Sequence, residues 1–117
     1  MLEVHFYRTS TGACPVEEFM ESLNAKQAQK LLWVLRAVRE LPRVPRQYFK
    51  KLEGPDDLWE VRAEFGGDAF RLPGFLDHGR LVILTNGFAK KTRKTPEREI
   101  ALAAQRKRDH LSRKRQT

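Results

Sequence analysis

The chain has 117 residues, a length that suits one domain with one hydrophobic core. Its only cysteine, Cys14, excludes an internal disulfide and a multi-cysteine zinc site. No run of about 18 apolar residues occurs, so a membrane span is not expected. The N-terminal segment carries an acid and aromatics instead of the basic and then apolar order of a signal peptide. These features predict a cytoplasmic protein.

The formal net charge is +8, and it is distributed unevenly. Residues 1–89 contain twelve Lys and Arg and twelve Asp and Glu, whereas residues 90–117 contain eleven and three. The last quarter of the chain therefore carries the whole excess, and a polyanion is its natural partner. We divide the chain into a domain at 1–111 and a basic C-terminal tail at 112–117. The tail could equally be a solvated end without a ligand.

The first third of the chain predicts one strand and two helices. Residues 2–7 alternate apolar and polar side chains, which is the period of a half-buried strand. Pro15 suits the first position of a short helix. Asn24 and Gln27 have the spacing of a capping box, and the apolar residues that follow recur with the period of a core-facing helix until Pro42 ends it.

From residue 50 onward the period changes from that of a helix to that of strands. We predict a short edge strand at 51–53, then strands at 58–65, 70–76 and 81–84, the last running on towards Phe88. Glycine-containing turns separate these segments. Thr95-Pro96-Glu97 is a strong start signal for a C-terminal helix.

The resulting order is β-α-α-β-β-β-β-α, and its short connections favour antiparallel neighbours. We therefore expect an α+β fold in which two N-terminal helices and a C-terminal helix pack on one face of a small twisted antiparallel sheet. Pro73-Gly74 falls inside the predicted strand at 70–76, where it should kink the strand or end its pairing.

Alternation places Glu60, Arg62 and Arg71 together on the outer face of this sheet. The strand beyond residue 84 delivers the basic segment 90–94 to one end of the same sheet. Cations around one carboxylate suit RNA cleavage through the 2′-hydroxyl, because charge develops on the phosphate oxygens. Glu60 could be the base, or a Lys whose pKa is lowered by neighbouring cations. A solvated charged face without catalysis is the alternative.

The three histidines, His5, His78 and His110, lie in a strand, a turn and a late helix without metal-ligand spacing. A metal site is therefore not expected, although a nuclease with a His pair stays an alternative. No glycine-rich phosphate loop or nucleophile elbow is present in the sequence.

Three segments then combine into a more specific pattern. They are Leu58-Trp59-Glu60-Val61-Arg62, Phe70-Arg71-Leu72, and Gly87-Phe88-Ala89-Lys90-Lys91-Thr92-Arg93-Lys94-Thr95-Pro96. In this order and spacing they resemble the motifs of the phage-derived HigB-like branch of the RelE/ParE toxin superfamily. The likeness is strongest over residues 50–105. Phe70 stands where Tyr is common in that branch.

This resemblance implies a RelE-like fold and cleavage of mRNA on the ribosome without a metal or other cofactor. It also implies a cognate antitoxin, often of the helix-turn-helix type, so that DNA would be contacted only through the antitoxin complex. Carried over by motif position, the candidate catalytic residues are Glu60, Arg62, Arg71, Lys90 and Lys91. The candidate RNA-binding residues are Arg93, Lys94 and Arg98.

Two other functions stay open at this stage. A ParE-like inhibitor of DNA gyrase would keep the fold and would not need Arg62, Arg71 and Lys90 as a cluster. A non-catalytic protein that binds RNA or the ribosome would use the +8 charge as a phosphate anchor.

Overall fold

The computed structural model describes residues 1–115, and within that range it contains six strands and three helices. Gln116 and Thr117, the end of the expected basic tail, lie outside the described residues. The α+β class is confirmed. The elements are β1 (Glu3–Phe6), α1 (Pro15–Glu21), α2 (Ala25–Glu40), β2 (Phe49–Lys51), β3 (Leu58–Phe65), β4 (Asp68–Asp77), β5 (Leu81–Leu84), β6 (Phe88–Lys90) and α3 (Glu97–Arg115).

The strands form one sheet in the order β1-β5-β4-β3-β2, and β6 pairs with β4 beside β5. All pairs are antiparallel except β1 with β5, which is parallel. The expectation of a wholly antiparallel sheet is therefore wrong at β1. Two helices separate β1 from the next strand in the chain, so no short hairpin dictates its direction.

The helices cover both faces of the sheet. On one face Val61 and Leu72 share a core with Leu31, Val34 and Val38 of α2. On the other face Phe75 and Ile83 pack with Ala103 and Ala104 of α3. Placing all three helices on one face was wrong, because β4 presents large apolar residues in both directions. The face that carries the predicted charged cluster is thus partly covered by α3.

The hairpin between β3 and β4 turns where the sequence predicts a tight turn. Phe65 and Asp68 are register partners, so Gly66 and Gly67 alone form the connection. Both glycines have positive φ, 59° and 87°, which is the conformation of the preferred two-residue hairpin turn. This turn fixes the register that brings Arg62 opposite Arg71.

Pro73-Gly74 does not end the pairing of β4, so the prediction that pairing stops there is wrong. β4 keeps its register with β3 through Glu60–Pro73 and Trp59–Gly74. The interruption falls on the neighbouring strand instead, which is divided into β5 and β6 around Thr85. Pro73 has no N–H to donate on that side, and its carbonyl accepts from the Thr85 N–H at 2.8 Å. The division frees β6 to pair with residues 69–71 of β4.

Buried polar residues at this division fix α3 to the sheet. The Asn86 side-chain amide donates to Glu99 Oε1 at 3.0 Å, and Arg106 donates to the Thr85 carbonyl at 2.9 Å. The helix continues to Arg115, so the boundary expected at residue 111 lies inside it. In residues 1–115 no helix is both long and apolar enough to cross a bilayer.

The C-terminal end of α3 is held by Asp77, the last residue of β4. This buried carboxylate accepts two hydrogen bonds from Lys114 Nζ, at 2.9 and 3.1 Å. His78 and His110 lie 3.5 and 3.6 Å from its oxygens. The hydrogen bonds from Lys114 hold the pKa of the Asp77 carboxyl below its ordinary value of 3.8, against the opposing effect of burial.

We expect Asp77→Asn to lower the free energy of unfolding at neutral pH by about 1.5–3 kcal/mol, the contribution of a hydrogen bond to a charged group. A depressed folded-state pKa contributes stability that is complete above the unfolded-state value. That contribution is lost as pH falls through the folded-state pKa. Urea unfolding at neutral and acidic pH checks this, with Asp56→Asn as the matched control. The difference between Asp77→Asn and the original chain should shrink in acid, and a constant difference would contradict the ion pair.

Candidate active site

The sheet register brings the predicted charged residues onto one face. Glu60 and Arg62 are two residues apart on β3, so they point the same way. Arg71 of β4 is the direct partner of Arg62, and Lys90 of β6 is the partner of Ala69, two residues before Arg71. The prediction that Glu60, Arg62 and Arg71 share a face is therefore confirmed, and β6 adds Lys90 to it.

Glu60 is the centre of this cluster and is 2% exposed. Its Oε1 accepts a hydrogen bond from the Thr95 hydroxyl at 2.8 Å. Its Oε2 lies 3.6 Å from Arg62 Nε and 3.8 Å from Arg71 Nε. Because its carboxylate lies between the two guanidinium groups, Glu60 is suited to orient them.

Arg71 is buried, so the face that was expected to be the outer one is not open to solvent at this position. Only 3% of its side chain is exposed, and it points to the same face of β4 as Phe75, which packs with α3. It donates to the Phe70 carbonyl at 3.0 Å, and it lies 3.7 Å from Glu64 Oε1. Burial, and then the neighbouring Arg62, lower the pKa of the Arg71 guanidinium. The group still carries its charge at neutral pH, since an arginine is not deprotonated in proteins.

Arg62 and Lys90 are the cations of the cluster that solvent can reach. The Arg62 side chain is 24% exposed, and Lys90 is half-buried at the end of β6. Burial, followed by the positive charge of Arg71, lowers the pKa of the Lys90 ammonium group. Arg62 and Lys50 lower it further, while Glu60 acts in the opposite direction. A lysine with a lowered pKa is more readily available as a neutral base.

Glu60, Arg62 and Lys90 line an open cleft of roughly 480 Å³ between the sheet and the start of α3. We call it the cationic cleft. Its basic lining residues are Lys50, Arg62, Lys90, Arg93 and Lys94. Glu60 and Thr95 lie on its walls together with Glu53 and Glu97. Of the predicted site residues, Glu60, Arg62, Lys90, Arg93 and Lys94 meet here, and Arg71 lies behind Glu60.

Two predicted residues stand apart from the cationic cleft. Among residues 1–115, Lys91 and Arg98 are not part of its lining. Lys91 is exposed on the loop after β6, and the Arg98 side chain is 85% exposed, 3.7 Å from Glu99 Oε2. Both positions suit contacts with a long polyanion better than contacts with a reacting phosphate.

Sequence reasoning missed Lys50 and Thr95. Lys50 is the register partner of Glu60, but the edge strand was predicted two residues too late, at 51–53. Thr95 was interpreted only as part of a helix start. A hydroxyl directly before the first turn of a helix, close in sequence to the basic segment 90–94, is the signal that could have indicated a role in the cleft.

The histidines give no support to a metal site. Within the described range 1–115, no group of three or more His, Cys, Asp or Glu side chains is placed to hold a metal ion. His78 and His110 do meet, around Asp77, but Lys114 already occupies that carboxylate.

The fold and the cationic cleft define a class: a small α+β protein with a cation-rich cleft built on a buried carboxylate, suited to bind a phosphodiester. Residues 18–108 match the model of the family described as phage-derived protein Gp49-like. This match covers more than half of the chain, and the protein belongs to the Gp49-like family. Among curated protein sequences, none matches this chain.

Among solved structures, one similar chain comes from the crystal structure of the archaeal RelE–RelB complex from Pyrococcus horikoshii OT3. It is 21% identical, and the match covers 80% of this chain and 98% of that chain with a TM-score of 0.46.

Proposed function

We propose that this protein is the toxin of a type II toxin–antitoxin system and that it cuts mRNA on the ribosome. The observation that carries the proposal is the cationic cleft, where Arg62 and a lysine of lowered pKa, Lys90, surround the buried Glu60. The three motifs that resemble the HigB-like branch contribute these same residues, and membership of a phage-derived family agrees with that resemblance.

The proposed reaction is attack of a ribose 2′-oxygen on the adjacent phosphorus. The O2′–P bond forms, the P–O5′ bond breaks, and the products are a 2′,3′-cyclic phosphate and a 5′-hydroxyl. Neutral Lys90 takes the proton from the 2′-hydroxyl and later releases it to solvent, and O5′ receives a proton from solvent as it leaves. Arg62 stabilises the charge that develops on the phosphorus oxygens. Arg71, through Glu60, holds Arg62 in place and keeps the pKa of Lys90 low.

The exposed basic residues extend this site along the RNA. Arg93 and Lys94 line the cleft, and Lys91 and Arg98 lie on the adjoining surface. We assign these four residues to contacts with the phosphates on either side of the scissile bond. The partners that follow from the proposal are mRNA on the ribosome and a cognate antitoxin of the helix-turn-helix type that neutralises the toxin.

The test is incubation of the purified protein with translating ribosomes and a defined mRNA, with primer extension to map the new 5′ ends. Cuts in register with codons would support a ribosome-dependent mRNA endonuclease. Intact message would overturn the proposal. A gyrase supercoiling assay and an RNA-binding assay would then decide between gyrase inhibition and passive RNA binding.

Lys90→Gln is expected to slow cleavage by about 10²- to 10⁴-fold, the range for loss of a general base. The free energy of unfolding should change by less than about 0.5 kcal/mol, because the residue is half-buried at the edge of the cleft. The measurement is the single-turnover cleavage rate with ribosomes at saturating protein, combined with urea unfolding.

Lys91→Gln is the matched comparison, since it removes the same charge from the neighbouring position outside the cleft. It should weaken binding and leave the rate at saturation close to that of the original chain. Equal losses of the saturated rate in the two variants would remove the assignment of Lys90 as the base.

A further inference from the structure

An exposed surface that combines aromatic and cationic side chains lies on α2, outside the lining of the cationic cleft. Trp33 is 50% exposed although it is the largest side chain type in the protein. Its ring meets Tyr48, the residue before β2, edge to face with 5.4 Å between the centroids. Lys30 Nζ lies over the ring, 4.7 Å from its centroid. An exposed tryptophan held in place by two neighbours is a preformed stacking surface.

This surface adjoins a polar groove that reaches the cationic cleft. The groove has a volume of roughly 280 Å³ and is lined by Lys30, Gln47, Tyr48, Arg62 and Glu64. Arg62 also lines the cationic cleft, so the two depressions adjoin at this residue. The Tyr48 carbonyl accepts from the Arg62 N–H at 2.8 Å, which fixes the groove to the β2–β3 edge of the sheet.

We propose that single-stranded RNA leaving the cationic cleft passes Arg62 along this groove and stacks a base on Trp33. Lys30 contacts a phosphate beside that base, and Tyr48 supports the indole ring from its edge. This inference rests on the proposed function, because it extends the same strand that the cleft would cut. It adds a base-binding subsite on α2, distant in sequence from the motifs that carry the cleft.

Charge and continuity favour RNA as the occupant. α2 contains four Lys and Arg and one carboxylate, Glu40, so the helix suits a polyanion. Among residues 1–115, Glu64 is the one carboxylate that lines the groove, and it lies 3.7 Å from Arg71, which offsets its charge. Base stacking on aromatic side chains tolerates any base, so this subsite would add affinity without sequence preference.

The test measures the affinity of the purified full chain for a short single-stranded oligoribonucleotide that carries 2′-O-methyl groups. This RNA cannot be cut through its 2′-oxygens, so binding is measured even if the protein proves to have no nuclease activity. Trp33→Ala should weaken binding about tenfold, the effect of losing one stacked base. Trp33→Phe should recover most of the affinity. Lys30→Gln should reduce the slope of log affinity against log salt concentration by about 0.7.

Leu32→Ala is the matched control, because Leu32 is the neighbouring exposed apolar residue of α2, 55% exposed. It should bind as the original chain does. In Trp59→Phe, where Trp33 is the one remaining tryptophan, RNA should still quench the fluorescence. Unchanged affinity in Trp33→Ala, or no quenching in Trp59→Phe, would overturn the inference and leave this face to a protein partner. If the original chain does not cut mRNA but its RNA binding depends on Trp33, the proposed function alone is overturned.

Discussion

Gly74→Ala is expected to destabilise the protein by more than about 3 kcal/mol, at or beyond the upper end of ordinary overpacking. A Cβ at this position would lie 2.2 Å from the Ile83 carbonyl oxygen and 2.9 Å from the Leu84 Cα. Both neighbours are backbone atoms of β5, so no side-chain rotation relieves the clash. The β4–β5 pairing must separate locally, and a domain has only about 5–15 kcal/mol of stability to lose.

Gly79→Ala is the matched control, in the turn that joins the same two strands. Its φ is +74°, so alanine there is strained, but a Cβ would have no atom within 4 Å. The backbone strain should cost about 1–2 kcal/mol. Urea unfolding of both variants measures the difference. Equal costs at Gly74 and Gly79 would mean that close approach of β4 and β5 is not the reason for glycine at position 74.

Gly74 also illustrates why one sequence-based prediction was wrong. Pro73-Gly74 inside a strand predicts that pairing ends there, because proline lacks a donor and glycine weakens pairing. In the structure the missing donor interrupts the neighbouring strand, and glycine permits the backbones of β4 and β5 to approach. A single sequence identifies the exceptional position but does not say which of two paired strands adjusts.

The composition of the charged face was predictable because the period of a strand is fixed. Alternation alone placed Glu60, Arg62 and Arg71 together, and the structure confirms it. Alternation could not predict that this charged face is buried. The spacing of apolar residues in α3 gives the apolar side of the helix, where Ala103 and Ala104 are buried, but it does not say which face of the sheet the helix covers.

One signal for that covering helix was present in β4. Leu72 and Phe75 are three residues apart, so they point to opposite faces of the sheet, and both are fully buried. A strand whose large apolar side chains point to both faces of the sheet needs packing partners on both faces. Arg71 lies four residues before Phe75, so it points to the same face of β4, and it is buried as well.

Because Arg71 is buried, Arg71→Ala is expected to affect stability and activity together. Removing one partner of a buried ion pair costs about 3–5 kcal/mol when the other charge is left uncompensated. Glu60 keeps Arg62 and the Thr95 hydroxyl, so we expect the lower end of this range. Cleavage at neutral pH should fall by about 10²- to 10³-fold, as after the loss of one preorganised electrostatic group.

The double variant Glu60→Gln with Arg71→Met separates the two effects. It removes both buried charges, and such replacements are often neutral or stabilising for the fold. Its free energy of unfolding should therefore return towards that of the original chain. Its cleavage rate should stay low, because Arg62 loses the carboxylate that orients it. Recovery of cleavage together with stability would show that Arg71 acts only through the fold.

The pH dependence of cleavage distinguishes an electrostatic role of Arg71 from loss of folded protein. With Lys90 as the base, the cleavage rate should rise with pH as this lysine loses its proton. Arg71 lowers the pKa of Lys90, so removing Arg71 should raise that pKa and move the rise in rate to higher pH. Lower amounts of folded enzyme would reduce the rate at every pH without moving the profile. Single-turnover rates of Arg71→Met across neutral and alkaline pH measure the shift. An unmoved profile would contradict the coupling between these two cations, on which the proposed role of Lys90 depends.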